Sequence, residues 1–337
     1  MTSGKVRFGL VGCGAVAHAH LPALQKSDKV ELVAVVDRDL ARAEEVAGMY
    51  GVPNALADAA ELVGKADAAV LSIPHHLHAP IAIDLLGRGL HVLVEKPMAT
   101  TAAECDAMIA AAERADKVLA VGHVRRWFDS SRYLKNLLDG GYLGAIQRFE
   151  MREGFIYDWP AASDFTMRRE SGGGVLADAG VHAVDTLLWW LGDVRSCDYF
   201  DDAQGGVEAD CELHLELECG AKGIVELSRT RNLENMVRIW GERGSVEVES
   251  KFNSILKVTL GGSDLALRGL AAAPGATRDE DVADLFDRQV EDVATAILEG
   301  RQPFIPGPEG RAAVALIEAC HREPKPLVQP WASWQPA

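Results

Sequence analysis

The segment that most restricts this chain stands at its start. An apolar run, Val6-Arg-Phe-Gly-Leu-Val11, leads directly into Gly12-Cys-Gly14-Ala15-Val16-Ala17, and a helical period follows. A run of this length reads as a buried strand, and the glycines allow the chain to turn at once into a helix. In a strand–GxGxxA–helix unit the first glycine permits the tight turn. The second lets backbone approach a pyrophosphate, and the small Ala17 lets helix and strand pack closely. The helix N-terminus then offers unpaired N–H groups and a positive dipole end to an anion.

The same alternation continues through residue 124. Apolar runs at 6–11, 32–36, 68–72, 91–94 and 118–121 read as parallel strands. Segments 15–25, 40–50, 57–63, 79–88 and 102–114 carry a helical period between them, and Thr100, Thr101 and Glu104 supply a capping box for the last. Strand–helix repetition gives right-handed crossovers, hence an α/β domain with a doubly wound parallel sheet over 1–124. Beyond Trp127 the texture changes. A short helix (131–138) precedes strand-like runs at 146–152, 194–200, 211–218, 223–229, 236–240 and 245–248. Their polar–apolar alternation and tight turns predict an open, mainly antiparallel sheet in an α+β domain over 125–337, with late helices at 282–299 and 310–321.

Chemistry-bearing residues fall at the ends of these elements. Asp37 closes the second strand, 20 residues beyond Ala17, where a carboxylate binds ribose hydroxyls and repels a 2′-phosphate. NAD is therefore favoured over NADP, although Arg38 beside it could meet a 2′-phosphate. Lys96 follows a strand whose carboxyl end points at the ligand crevice, so its ammonium can hydrogen-bond a hydroxyl or developing alkoxide. Asp178 and His182 are four apart on an apolar helix-like segment and so share a face. Imidazole, with an ordinary pKa of ~6.5, suits removal of a hydroxyl proton near neutrality. Asp185, a turn further on, reads rather as a core group, and Gly180 suggests close backbone approach. The run His75-His-Leu-His78 could suggest a metal, but a zinc site needs three or four convergent ligands and none is placed to help.

Four motifs carry a family resemblance: GxGxxA, Ser72-Ile-Pro74-His75-His-Leu-His78, Gly89-Leu-His-Val-Leu-Val-Glu95-Lys96-Pro97, and Gly172-Gly-Gly-Val-Leu-Ala-Asp178-Ala-Gly-Val-His182-Ala-Val-Asp185. Together they resemble the Gfo/Idh/MocA oxidoreductases, the group of glucose-fructose oxidoreductase and inositol dehydrogenase. The resemblance implies a Rossmann domain that holds NAD through Gly12, Gly14, Ala15, Val16, Ala17, Asp37 and Arg38. It adds Ser72, Pro74, His75, His78, Glu95 and Lys96 on the cofactor side, with His75 departing from the usual Asn. It makes Lys96, Asp178 and His182 a catalytic triad in which His182 takes the proton. His123 and Arg125, in Gly122-His-Val-Arg-Arg126-Trp127, match a substrate-side segment. Tyr157, Trp159 and Asp164 lie in the loop before the glycine run. The implied reaction interconverts a secondary alcohol and a ketone on a sugar, amino sugar or cyclitol. A homodimer or homotetramer would cover the sheet's open face. Two other readings are a relative that uses tightly bound NAD in glycoside cleavage and a non-catalytic NAD(P) sensor. The presence of both Lys96 and His182 speaks against the sensor.

Charge narrows the partners. The net charge is −16, which argues against nucleic acid or an anionic membrane. Through Val124 there are 11 basic and 15 acidic residues, which leaves 23 and 35 for the remainder, net −12. The acid lies mainly in the second half, a field that favours cationic over phosphorylated substrates such as nucleotide-linked sugars. The six cysteines form no CxxC, the N-terminus shows no signal-peptide pattern, and no apolar stretch reaches a membrane span. These features predict a cytoplasmic protein with reduced thiols.

Overall fold

The computed structural model describes residues 4–157, 165–203, 206–250, 255–267 and 282–328, and its chain divides into two units. The first holds residues 1–124 and 280–314; the second holds 125–279 and 315–337.

In the first unit the strands are β1 (Val6–Val11), β2 (Val30–Val36), β3 (Ala55–Leu56), β4 (Ala68–Leu71), β5 (His91–Glu95) and β6 (Leu119–Gly122). They form one sheet in the order β3-β2-β1-β4-β5-β6, every pair parallel. The connecting helices are α1 (Ala17–Lys26), α2 (Leu40–Tyr50), α3 (His78–Gly87) and α4 (Ala102–Ala115). The strand order reverses between β1 and β4, and in an open α/β sheet ligands bind at the carboxyl ends beside that point. Thr101 caps α4 as expected, its hydroxyl accepting from the Glu104 N–H while Glu104 accepts from the Thr101 N–H. Segment 57–63, read as a helix, is only a 3₁₀ turn (Ala59–Leu62), closed by a capping box of Asp58 and Glu61.

The second unit contains α5 (Asp129–Asp139), β7 (Ile146–Gly154), α6 (Val181–Leu191), β8 (Val194–Asp201), β9 (Asp210–Leu217), β10 (Lys222–Ser228), β11 (Met236–Gly241), β12 (Gly244–Glu249), β13 (Leu256–Leu260) and β14 (Ser263–Leu267). The late helices α7 (Val282–Glu299) and α8 (Gly307–Arg322) and the short β15 (Lys325–Pro326) complete the chain. The nine-stranded sheet runs β14-β13-β12-β11-β7-β10-β9-β8-β15 and is mainly antiparallel, with β7–β10 and β8–β15 parallel. Period-two alternation makes it one-sided. Along β9, Cys211, Leu213, Leu215 and Leu217 are buried while His214 is exposed. The opposite face carries a ladder of paired charge: Arg152 contacts Glu150 and Glu226, Arg238 contacts Glu247, and Lys222 contacts Glu216.

A single boundary after Val124 follows from the change of sequence texture, but the packing differs from it. Phe286, Val290, Val293 and Ala294 of α7 are buried in one apolar cluster with Leu21 and Leu24 of α1 and with Val6 and Phe8 of β1. Lys26 pairs with Asp287, and Lys29 lies 2.6 Å from Glu291, flanking that contact. A helical period shows that a face is buried without showing what buries it, so residues 280–314 read as part of the second domain although they complete the first unit.

Candidate active site

The GxGxxA turn forms a cradle. Gly12 has φ +95°, and a Cβ there would lie 2.4 Å from the Ser72 carbonyl oxygen. No other residue fits that turn without strain. At Gly14 a Cβ would have no neighbour within 4 Å, so its open side leaves room for a ligand against bare backbone. No side chain caps α1; the N–H groups of Ala17, His18 and Ala19 donate to the Gly14, Ala15 and Val16 carbonyls, so an anion would meet the turn that precedes the helix. Ala17 is fully buried against the sheet, while Ala15 and Val16 are exposed. Asp37, just past β2, accepts from the Cys13 N–H at 2.9 Å and from the Asp39 N–H at 3.0 Å. Arg38 is exposed. Ser72, just past β4, donates to the Gly12 carbonyl at 2.7 Å and so joins two crevice loops. These features suit a dinucleotide. Arg42, which no motif marks, donates to the Cys13 carbonyl at 2.8 Å and brings a cation to the same loop.

Lys96 stands at the carboxyl end of β5, on the same edge of the sheet. Pro74 introduces a 3₁₀ turn (His75–Leu77), and His75 is 5% exposed, its ring 5.8 Å from that of His78. His78 is expected on the cofactor side from the family resemblance. It is fully buried, with Nδ1 2.9 Å from the Pro97 carbonyl and Nε2 2.9 Å from that of Ile73. Burial dominates and holds the imidazole below its ordinary pKa, against the pull of those carbonyls. A neutral ring donates from one of these nitrogens only, and His78 joins the two loops from inside the fold. Glu95 is likewise turned inward. Its carboxylate lies 2.7 Å from Nε2 of His20 and accepts from the Lys96 N–H at 3.1 Å. Burial works against its ionisation, but His20, Lys96 and their hydrogen bonds outweigh it and hold the carboxyl below its ordinary range. His20 was not singled out from sequence. The signal was its spacing, three past Ala17 and four before Leu24, which places it on the buried face of α1. His123, at the end of β6, is fully buried.

In the second unit the segment of Asp178 and His182 is not one regular helix. Leu176–Gly180 is a π-helical turn that runs into α6, so the four-residue spacing does not have the assumed α-helical geometry. Such turns recur at functional sites. Gly174 has φ +105°, and a Cβ on it would strike the Glu208 carboxylate at 2.3 Å. Glu208 is buried and accepts from the Leu176 N–H at 2.9 Å, anchoring the start of the turn. Gly180 does mark a close approach, because a Cβ there would lie 2.4 Å from Cδ1 of Leu227 on β10. Just beyond β10, Arg229 reaches back and donates to Asp178 at 2.7 Å and to the Gly174 carbonyl at 3.1 Å. The guanidinium also lies 5.2 Å from the Tyr157 ring centre. Arg229 thus brings Asp178 and Tyr157 together, a role that sequence spacing did not reveal. Arg125 is occupied by Glu153, at 2.9 and 2.8 Å from its two oxygens, both side chains largely buried. Asp185 pairs with Arg126 through two bonds of 2.9 and 2.7 Å in the core. Trp159 and Asp164 lie outside the described residues. Among the described residues no three His, Cys, Asp or Glu side chains gather to hold a metal.

Comparison with known proteins places this geometry in context. Residues 6–123 match the model of an oxidoreductase family with an NAD-binding Rossmann fold, and residues 131–247 match the GFO/IDH/MocA C-terminal domain. The chain is 28% identical to the rhizopine catabolism protein MocA of Rhizobium meliloti, over 87% of this chain and 95% of that one. It is 26% identical to inositol 2-dehydrogenase of Rhizobium meliloti, over 94% and 96%. Among solved structures, the WlbA dehydrogenase of Chromobacterium violaceum in complex with NADH and UDP-GlcNAcA aligns with a TM-score of 0.81 and 26% identity, covering 96% of this chain and 94% of that one.

Proposed function

Because the chain belongs to the Gfo/Idh/MocA oxidoreductase family, we propose that it is an NAD-dependent dehydrogenase that interconverts a secondary alcohol and a ketone on a sugar, amino sugar or cyclitol. The observation that carries the reading is the edge of the parallel sheet: a glycine cradle with open space at Gly14, and Lys96 on the same carboxyl edge. Gly12, Gly14, Ala15 and Val16 would hold the pyrophosphate through backbone and helix N-terminus, and Asp37 would hold the adenosine ribose. When bound, NAD supplies the acceptor for hydride from the carbinol carbon.

The chain's own groups handle the proton and the oxygen. Lys96 donates a hydrogen bond to the alcohol oxygen and stabilises it as negative charge develops. His182 takes the hydroxyl proton. Asp178, paired with the Arg229 guanidinium, orients His182. Tyr157 offers an aromatic face to the sugar ring.

Several properties follow from the same reading. A second copy of the chain covers the charged open face of the nine-stranded sheet, giving a dimer or tetramer that light scattering would detect. The cysteines are all free, which fits a reducing cytoplasm. No helix among the described residues is long and apolar enough to cross a membrane. The net −12 of the second half favours an aminated substrate.

The test is NADH formation across neutral, aminated and nucleotide-linked sugars and cyclitols, with Lys96→Met as control. Turnover of at least one class, abolished in Lys96→Met, is expected. Failure to bind NAD, or full activity in the variant, would overturn the reading. Turnover without net NADH would move the reaction to the non-redox class.

A further inference from the structure

The Glu95 carboxylate is buried although nothing in a strand-to-loop junction demands a charge there. It is held by two hydrogen bonds and given room by a glycine. Nε2 of His20, fully buried on α1, lies 2.7 Å from Oε1. The backbone N–H of Lys96 donates to Oε2 at 3.1 Å. Gly122 on β6 leaves the space, since a Cβ there would lie 2.9 Å from Oε1. The His20 ring is fixed in turn, edge-on to Phe286 at 4.8 Å between ring centres.

We infer that His20 and Glu95 form a buried strut that positions Lys96 relative to the glycine loop, so both are positioning residues for the hydride-transfer step; this rests on the reading of Lys96 given above. A lysine stem has four rotatable carbons, and the direction in which it leaves the chain is set by the backbone that carries it. The Glu95–Lys96 bond fixes that backbone. The His20–Glu95 bond ties it to α1, the helix that begins at the cofactor loop. The two halves of the cofactor-side geometry, cradle and ammonium, thus share one brace. A buried carboxylate stays in place only while its partner remains, because an unpaired buried charge is strongly disfavoured.

Three variants test this by steady-state kinetics and direct NAD titration. His20→Leu is expected to lower kcat by about 10- to 100-fold, the size of effect that follows small misplacement of a reacting group. Its NAD dissociation constant should change by less than about threefold. His20→Gln, which retains a side-chain N–H, should recover much of the loss. Gly122→Ala keeps both partners but presses a methyl on the carboxylate, and should lower kcat in the same selective way. If His20→Leu does not fold, Gly122→Ala and His20→Gln decide. Unchanged kcat in Gly122→Ala, or NAD affinity falling in parallel with kcat, would overturn the strut. If Lys96→Met itself stays active, the role of Lys96 has failed, an outcome distinct from failure of the strut.

Discussion

Two glycines of one turn have opposite reasons for being glycine, and they make separable predictions. Gly12 is required by its own backbone: φ is +95° and the Ser72 carbonyl would meet any Cβ at 2.4 Å. Gly12→Ala should cost about 1–3 kcal/mol in stability, read as a lower urea midpoint. Gly14 has no neighbour to strike. Gly14→Val should therefore keep its midpoint yet weaken NAD binding by about tenfold or more, because the side chain would fill the pyrophosphate's approach. Equal loss of stability in the two variants would refute the distinction. At this scale the sequence was readable where a residue acts through its own backbone, as with Gly12, Gly14 and Ala17. It was unreadable where the partner is remote: His20 and Glu95 are 75 positions apart, and Asp178 and Arg229 are 51 apart. Spacing in one dimension does not encode those meetings.

Elements show how a local pattern can mislead about geometry. The Gly172-Gly-Gly run and the apolar stretch after it predict a helix, and a helix forms. Its first turn is π-helical, a difference of one residue per turn that apolar periodicity over so short a span does not resolve. The turn is held by Glu208 at Leu176 and by Arg229 at Asp178. Arg229→Met should then lower kcat with little change in NAD affinity, since the cofactor cradle belongs to other elements. Strand β5 supplies a pH test. His91 opens it, and Nδ1 accepts the Val118 N–H at 2.9 Å. Burial first, then repulsion by Lys117, lowers its pKa from 6.5 to about 4. The folded state therefore binds this proton less readily than the unfolded one. Stability from His91 is fully present above pH 6.5 and is lost as pH falls toward 4. In His91→Asn, where the amide oxygen can accept the same N–H, the decline of the urea midpoint between those pH values should be shallower. An unaltered slope would show that other groups carry the acid sensitivity.

On the scale of the whole molecule, the fold class was visible because alternating strand and helix leave few topologies open. Strands β3, β13, β14 and β15 escaped reading, β3 and β15 for being two residues long and β13 and β14 for being only five. The membership of α7 was unreadable for the reason already seen: its apolar face has a period but no address. A fragment of residues 1–124 should lack a cooperative urea transition, since Leu21 and Leu24 lose Phe286, Val290 and Val293 from their cluster. The same fragment joined by a flexible linker to residues 280–314 should regain one. A cooperative transition in the shorter fragment would show that α7 is dispensable.

A chain leaving the ribosome meets this interleaving directly. When residue 124 clears the exit tunnel, every strand of the parallel sheet has been made, but α7 has not. Residues 125–279 must be synthesised first, an interval of roughly ten to thirty seconds at ordinary elongation rates. The second unit waits too, because it draws on residues 315–337. Each unit is completed by a segment made after part of the other. Until α7 is made, the apolar stripe of α1 lacks the helix that covers it.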